Sequence, residues 1–210
     1  MSETRKSYGG LPLDKPICLV GMMGAGKSSI GKRLAARLGV DFVDADAEIE
    51  AAAGQSVSSI FEKLGEESFR YGERRVIDRL LSGGVRVIAT GGGAFVDEQT
   101  RQKIKEKSIS VWLRADIEVL VSRTARSTDK RPLLKKGDPR QIIEELLEKR
   151  TPFYAEADIV VESQDRPRDE TLQVVYDSLR NHLSNIADTT KLAEDNVVSS
   201  DDTQTALACG

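Results

Sequence analysis

The sequence has little of what disulfide-rich, metal-rich or membrane proteins need. Its 210 residues include two cysteines, Cys18 and Cys209, and a single histidine, His182. So few cysteines exclude a disulfide framework and favour a reducing compartment. One histidine argues against a histidine-rich metal site and a Ser-His-Asp triad. No apolar run approaches the roughly 20 residues of a membrane-spanning helix. The N-terminus also lacks the apolar stretch of a secretory signal, so we expect a cytoplasmic protein.

Neither sign of charge dominates the chain. The 31 Lys and Arg residues are nearly balanced by 34 Asp and Glu residues, which gives a net charge of −3. This balance argues against a general nucleic-acid-binding protein and against a protein that binds anionic membranes. Hydrophobic residues make up 39% of the sequence, enough for a packed core. We therefore expect a globular protein with neither nucleic acid nor membrane as a partner. We also expect a monomer.

Short apolar segments alternate with helical patterns along the middle of the chain. Apolar and β-branched residues predict five strands, at 17–20, 41–44, 85–89, 109–113 and 159–161. Between them, apolar residues recur at the spacing of an amphipathic helix. This alternation predicts an α/β fold in which a parallel sheet has helices on both faces.

Two steps between strands are longer than one strand–helix–strand unit requires. The first step predicts a helical insert at about 45–83, in which Ser56 is typical of a helix start and Gly65 of a helix end. The second contains a basic segment with little apolar periodicity, at about 123–138, which predicts a mobile loop.

The two ends differ in composition from the predicted domain, residues 16–183. Residues 1–15 are polar, and we expect them to be frayed. Residues 184–210 carry five acidic residues against one lysine, Lys191, and contain no aromatic residue. This composition predicts a disordered acidic tail.

A phosphate-binding motif follows the first predicted strand. Gly21-Met-Met-Gly-Ala-Gly-Lys-Ser28 matches G-x-x-x-x-G-K-[ST], and a helical pattern follows it, as the motif requires. Glycines let backbone N–H groups turn toward phosphate oxygens. Lys27 would reach the β- and γ-phosphates of a nucleotide, and the Ser28 hydroxyl would bind Mg²⁺. The alternative is an ordinary glycine-rich turn with a surface lysine, which the strand and helix context disfavours.

The motif alone does not name a reaction, because switches, motors and kinases all use it. The sequence contains neither N-K-x-D nor a D-x-x-G after the second strand, which argues against a GTPase. A compact chain with two inserts is typical of a small-molecule kinase.

Asp44 and Asp46 end the second predicted strand. Two residues apart in extended chain, they point to the same side of the strand, roughly 7 Å apart. The carboxyl edge of an α/β sheet is where ligands bind, so one carboxylate could face a metal through water and the other a substrate hydroxyl. The alternative is that Asp44 only caps the following helix.

The chain resembles the shikimate kinase family over about residues 16–182. The resemblance rests on six motifs in the family's order: Gly21–Ser28, Asp44-Ala-Asp46, Phe69-Arg70, Gly91-Gly-Gly93, Arg131-Pro-Leu-Leu134 and Arg150-Thr-Pro-Phe-Tyr154. It implies a three-layer P-loop kinase fold with a five-stranded parallel sheet in the order 2-3-1-4-5, a substrate-binding insert and a lid. It also implies transfer of the γ-phosphoryl group of ATP to the 3-hydroxyl of shikimate, with Mg²⁺, in chorismate and aromatic amino-acid synthesis.

The resemblance assigns roles to individual residues. It places Asp44 on the metal side with Ser28, and Asp46 at the substrate. Six residues would bind ATP through the phosphate loop: Gly24, Ala25, Gly26, Lys27, Ser28 and Ser29. Arg131 in the lid would contact the phosphates, and Arg166 would lie against adenine. The expected catalytic residues are Lys27, Asp46 and Arg131.

The substrate carboxylate is assigned to two arginines, Arg70 and Arg150. The fork-shaped guanidinium suits a carboxylate better than a lysine does, although an isolated arginine is more often a solvated surface residue. The resemblance also places the Gly92 N–H at the substrate. The basic stretch that includes Arg123 and Arg126 fits a lid over ATP, with a solvated loop or a nucleic-acid patch as alternatives.

Two other functions remain open at this point. A kinase for another small metabolite, such as gluconate or a nucleoside monophosphate, would share the phosphate loop. An ATP-dependent regulatory module could signal through the acidic tail. The two arginines and the triple glycine favour a small carboxylate as the acceptor.

Overall fold

The computed structural model describes residues 7–125, 137–164 and 167–205, with side chains as far as residue 189. In these ranges strands and helices alternate. Their order is β1 (Ile17–Val20), α1 (Lys27–Leu38), β2 (Phe42–Asp44), α2 (Ala45–Ala53), α3 (Val57–Leu81), β3 (Val87–Ala89), α4 (Glu98–Lys107), β4 (Ile109–Arg114), α5 (Ile117–Ala125), α6 (Pro139–Tyr154), β5 (Ile159–Glu162) and α7 (Arg168–Thr205).

The five strands form one parallel sheet in the order β2-β3-β1-β4-β5. Both the strand set and the predicted order are confirmed, with strand ends that shift by at most two residues. The central strand β1 pairs Ile17 with Val87 on one side and with Ile109 on the other. All four residues of β1 are buried, which requires cover on both faces because successive side chains point to opposite sides.

Helices supply that cover. The helix α1 packs against β1, β3 and α7, while α7 also contacts β5. A second group consists of α3 and α4, which pack against each other, and α4 contacts β4. The predicted apolar stripe of α1 is buried at Ile30, Leu34 and Leu38, and the helix ends at Gly39 in the left-handed region.

The predicted insert consists of α2 and α3. The Ser56 hydroxyl caps α3 by accepting from the Ser59 N–H at 3.1 Å. Gly65, predicted to end this helix, adopts φ 80° and ψ 174°, but the helix resumes and runs to Leu81. The predicted helix end is therefore a kink, because Phe69, Val76 and later apolar residues bury the second part of α3 against the core.

The expectation that residues 1–15 are frayed is wrong for the described part of that segment. Leu11 and Leu13 are 1% and 2% exposed and belong to the hydrophobic core. Tyr8 and Leu11 exchange backbone hydrogen bonds of 2.8 and 2.9 Å. The polar average of the segment concealed two leucines whose burial holds it against the domain.

At the other end, α7 continues to Thr205, whereas the composition predicted disorder from residue 184. A helix satisfies its own backbone hydrogen bonds, so it can continue without an apolar core. None of the described side chains at 184–189 is buried, so the domain boundary at 183 stays a prediction. Residues 126–136, which contain Arg126 and Arg131, and Arg166 lie outside the described residues. None of the described helices has the length and apolar character needed to span a membrane.

Candidate active site

Three strand-to-helix junctions meet at the carboxyl end of the sheet. They lie at the ends of the adjacent strands β1, β2 and β3, and they carry the P-loop (Gly21–Ser28), the Asp44–Asp46 pair and the triple glycine (Gly91–Gly93). Because parallel strands end at the same edge, these three segments of distant sequence become neighbours.

The P-loop backbone takes conformations that require glycine. Gly26 has φ 98° and serves as the N-cap of α1, without a side chain that caps the helix. The N–H groups of the first turn of α1 are thus free of a side-chain cap, and the positive end of the helix dipole faces the loop. At Gly21, with φ 127°, a Cβ would lie 2.7 Å from the Leu113 carbonyl oxygen. The loop has the geometry of an anion-binding site.

Lys27, the first residue of α1, is only 9% exposed. Its ammonium donates to the carbonyl oxygens of Gly21 at 2.7 Å and Met22 at 2.9 Å. These two bonds offset part of the desolvation of a buried charge. They hold the ammonium over the P-loop.

Asp44 has two roles at once. Its Oδ1 accepts from the Asp46 N–H at 3.2 Å and caps α2, while its Oδ2 accepts from the Ser28 hydroxyl at 2.7 Å. The helix cap that the sequence offered as an alternative is therefore present together with a contact to the P-loop.

The Ser28–Asp44 pair fits a magnesium ion by its chemistry. Hydroxyl and carboxylate oxygens are the ligands that Mg²⁺ prefers, and in kinases one or two protein groups combine with water and phosphate oxygens. Among the described residues there is no cluster of three or more acidic, histidine or cysteine side chains. An ion here would thus depend on oxygens from the nucleotide and from water.

Asp46 sits at the start of α2 among other charges. Burial raises its pKa above the ordinary 3.8, and the nearby Asp44 carboxylate raises it further, while Lys27 and Arg70 oppose this shift. A carboxylate with a raised pKa accepts a proton more readily than an ordinary aspartate does.

Arg70 is held by two acidic side chains on its own helix. Its Nη1 contacts Glu73 Oε2 at 2.5 Å, and its Nη2 contacts Glu66 Oε1 at 3.2 Å. Burial alone would lower the pKa of Arg70, but these two carboxylates raise it. Glu73 is 1% exposed, and its Oε1 is buried without a hydrogen-bond partner in the described part of the protein. Burial raises the pKa of Glu73, and the positive charge of Arg70 opposes this increase.

The triple glycine lies close to three charged side chains. A Cβ on Gly91 would lie 2.7 Å from Asp46 Oδ1, and one on Gly92 would lie 3.2 Å from Arg150 Nη1. One on Gly93 would overlap the Arg70 guanidinium. Glycine is therefore needed here because side chains approach the backbone, not because of a positive φ.

Arg150 reaches the site from the C-terminal end of α6. It is 9% exposed, and its Nη1 donates to the Gly92 carbonyl at 3.1 Å. The Tyr154 hydroxyl donates to the same oxygen. The structure thus brings Arg70 and Arg150, 80 positions apart in sequence, to the same three glycines.

Arg123 lies at the end of α5, next to the P-loop. Its guanidinium donates to the Gln164 carbonyl at 3.0 Å and to the Ser163 hydroxyl at 3.2 Å. The Ser163 hydroxyl in turn donates to the Ala25 carbonyl at 2.8 Å. Arg123 therefore joins the P-loop to the segment after β5, and it lies in a helix where the basic stretch predicted the start of a mobile lid.

Two cavities of about 550 Å³ each adjoin at this edge. The P-loop cavity is lined by Gly24, Gly26, Lys27, Ser29, Arg123 and Arg168. The arginine cavity is lined by Arg70, Glu73, Arg150, Gly93 and the apolar residues Val57, Phe61 and Phe69. Both share a wall of Met23, Ser28, Asp44, Asp46, Gly91 and Gly92. Asp46, whose pKa is raised, thus faces both cavities.

A family model described as shikimate kinase matches residues 23–180. The chain belongs to the shikimate kinase family. A shikimate kinase from Paramagnetospirillum magneticum is 57% identical over 171 residues, which cover 81% of this chain and 87% of the relative. One from Rhodopseudomonas palustris is 52% identical over 170 residues, which cover 81% of this chain and 83% of the relative. The resemblance that the six motifs predicted is confirmed.

Solved structures agree with this shikimate kinase assignment. A shikimate kinase from Acinetobacter baumannii, solved in complex with shikimate, is 40% identical with a TM-score of 0.77; the match covers 81% of this chain and 94% of that one. A gluconokinase from Sinorhizobium meliloti has a TM-score of 0.53 at 19% identity and covers 85% of this chain and 96% of that one. The second match shows a shared fold only.

Some residues of this shikimate kinase site were missed in the sequence. Glu73 follows Arg70 by three positions, a spacing that predicts an ion pair on one helix face. Tyr154 follows Arg150 by four positions and shares its helix face in the same way. Arg168, the first residue of α7, lines the P-loop cavity, but no local pattern in the sequence distinguishes it from a surface arginine.

Proposed function

We propose that this protein transfers the γ-phosphoryl group of ATP to the 3-hydroxyl of shikimate, giving shikimate 3-phosphate and ADP. The observation that carries the proposal is the pair of adjoining cavities that share Asp46. One cavity has a phosphate-binding loop and the other has two arginines that suit a carboxylate. Family membership and the relatives named shikimate kinase support the same reaction.

ATP would occupy the P-loop cavity. The backbone of Gly24–Gly26 and the side chains of Lys27, Ser28 and Ser29 would hold its phosphates. Ser28 and Asp44 would hold Mg²⁺, which would neutralise phosphate charge when bound. Arg131 and Arg166 keep the roles that the resemblance assigns, at the phosphates and at adenine.

Shikimate would occupy the arginine cavity. Arg70 and Arg150 supply donors for its carboxylate, and the Gly92 backbone forms part of the wall. With the carboxylate fixed at this end, the hydroxyl that reacts would lie at the shared wall beside Asp46.

The reaction then needs positioning more than covalent chemistry. The 3-hydroxyl oxygen forms a bond to the γ-phosphorus while the bond to the β–γ bridging oxygen breaks. The hydroxyl proton passes to the Asp46 carboxylate, whose raised pKa favours its acceptance. Lys27 and Arg131 stabilise the charge that spreads over the transferring group.

A second candidate is a kinase for another small hydroxy acid, such as gluconate. The two arginines of the second cavity would also accept that carboxylate. What disfavours it is the family match, together with the low identity to the solved gluconokinase.

A coupled assay of ADP release separates the candidates. Purified protein with Mg²⁺ and ATP is given shikimate, gluconate, a nucleoside monophosphate or no acceptor. We expect rapid ADP release with shikimate alone, and loss of most of it in the Arg70→Ala variant. Faster turnover with gluconate or a nucleotide would refute the proposal. Equal ADP release without any acceptor would favour an ATP-dependent regulatory module instead.

A further inference from the structure

Two side chains of α6 anchor one backbone carbonyl of the triple glycine. Arg150 Nη1 donates to the Gly92 oxygen at 3.1 Å, and the Tyr154 hydroxyl donates to the same atom. Residues four apart on a helix lie on one face, so both reach the carbonyl from the same side of the cavity. Of the two donors, only Arg150 lines the arginine cavity.

The anchored carbonyl controls more than its own position. The Gly92–Gly93 peptide is trans, and a peptide unit is planar. Fixing its oxygen therefore also fixes the direction of the Gly93 N–H, on the opposite side. Neither glycine has a side chain through which packing could hold this segment. The Gly91 and Gly93 carbonyls accept turn hydrogen bonds from backbone N–H groups at 94–97. The Gly92 carbonyl between them is held from α6 instead, by Arg150 and Tyr154.

Tyr154 is well placed to hold that wall. Its side chain is fully buried, and its ring packs against Trp112 with the ring centroids 5.8 Å apart. Its hydroxyl also lies 3.7 Å from the Met22 sulfur, so core residues contact both the ring and its polar end. A tyrosine hydroxyl is protonated at neutral pH; here burial raises its pKa further, although the Arg150 charge opposes this, so the hydroxyl can donate.

We propose that Tyr154 is a positioning residue for the acceptor substrate: because its hydroxyl also donates to the Gly92 carbonyl, Arg150 can turn its Nη1 donor from that carbonyl to the substrate carboxylate without leaving the carbonyl unpaired. This inference rests on the proposed function. Without the tyrosine oxygen, Arg150 would be the one side-chain donor to the Gly92 carbonyl within the described ranges. Because a half-buried carbonyl needs a donor, Arg150 could then bind the ligand only by giving up that bond.

The test removes one oxygen atom and compares it with a matched control. Tyr154→Phe deletes the hydroxyl at Gly92. Tyr176→Phe deletes a hydroxyl that donates to the Gly9 carbonyl at 2.7 Å, away from both cavities. We expect Tyr154→Phe to raise the KM for shikimate about tenfold, the equivalent of one hydrogen bond, with the KM for ATP unchanged and kcat reduced less than twofold. Tyr176→Phe should leave both KM values unchanged.

A double-mutant cycle tests whether Tyr154 acts through Arg150. In the Arg150→Ala background, Tyr154→Phe should weaken shikimate binding less than twofold, because the group it positions is already absent. Binding is measured by titration calorimetry at a temperature below the unfolding transition of every variant. A less stable variant therefore still gives a result.

Several outcomes would overturn the inference. An unchanged shikimate KM in Tyr154→Phe would show that Arg150 needs no help. Equal increases in both KM values would indicate a general loosening of the domain. A tenfold effect in both backgrounds would show that Tyr154 acts independently of Arg150. If the wild-type protein turned over no shikimate, the proposed function would fail first, and this inference with it.

Discussion

Gly91 offers a way to displace Asp46 without changing it. A Cβ built on Gly91 would lie 2.7 Å from Asp46 Oδ1 and 3.1 Å from Glu73 Oε1. The φ angle of Gly91 is outside the left-handed region, so an alanine suits the backbone there. The Gly91→Ala substitution therefore acts on the site through contact and not through backbone strain.

The size of the effect follows from the overlap. Asp46 Oδ1 must retreat by about 0.7 Å before its contact with the new methyl group becomes an ordinary one. A misplacement of about 1 Å can lower a rate about 100-fold. We therefore expect kcat to fall between about tenfold and 100-fold. The KM for ATP should stay the same, because the Lys27 contacts with the P-loop are not disturbed.

Gly72→Ala is the matched control. Gly72 lies in α3 between Arg70 and Glu73, and a Cβ there has nothing within 4 Å. Alanine in a helix interior stabilises by about 0.5–1 kcal/mol relative to glycine, so the thermal midpoint should rise slightly while kcat is unchanged. Both variants are measured by ADP release, with circular dichroism to verify folding. A folded Gly91→Ala protein that keeps more than half of the wild-type kcat would refute the argument that Asp46 must be held in place.

Three further predictions concern the same site. Lys27→Ala should lower kcat at least 100-fold, since it removes the cation held at the phosphates; near-normal turnover of a folded variant would contradict the P-loop assignment. Gly93→Ala should raise the KM for shikimate about tenfold, because its methyl group overlaps the Arg70 guanidinium; an unchanged KM would show that Arg70 does not bind the carboxylate. Because burial and Asp44 raise the pKa of Asp46 above 3.8, kcat should fall on acidification at a higher pH than an ordinary aspartate would require. In Asp46→Asn this acid limb should vanish and kcat should fall at least about 100-fold; a wild-type rate independent of pH across the acid range would count against a base role.

The parts of the fold that could be predicted are those with a strong local pattern. The strand at Ile17–Val20 is a continuous apolar run because both faces of a central parallel strand are covered. The P-loop could be identified because its glycines, lysine and serine stand at fixed spacing between a strand and a helix. The Asp44 and Asp46 pair followed from its place at a strand end.

The parts that could not be predicted depend on contacts between distant segments. Leu11 and Leu13 are too few to form a periodic pattern, so their burial could not be read from the polar segment around them. Glu73 stands among charged residues that are typical of a solvated helix face. Only the packing of α3 shows that Glu73 is buried beside Arg70. The shared carbonyl contact of Arg150 and Tyr154 depends on a loop some 60 positions earlier in the sequence.

The position of Asp46 illustrates how the local and distant constraints combine. Asp44 caps α2 through one carboxylate oxygen and accepts from Ser28 of the P-loop through the other. The cap fixes where α2 begins, and Asp46 lies in the first turn of that helix. The start of α2 is therefore connected by a hydrogen bond to Ser28, the last residue of the P-loop. On its other side the Asp46 carboxylate lies close to the Gly91 backbone. The position of Asp46 relative to the P-loop is therefore set by backbone elements on both sides. A group so constrained can orient a hydroxyl without first having to reorganise, and in phosphoryl transfer orientation supplies most of what the protein must contribute.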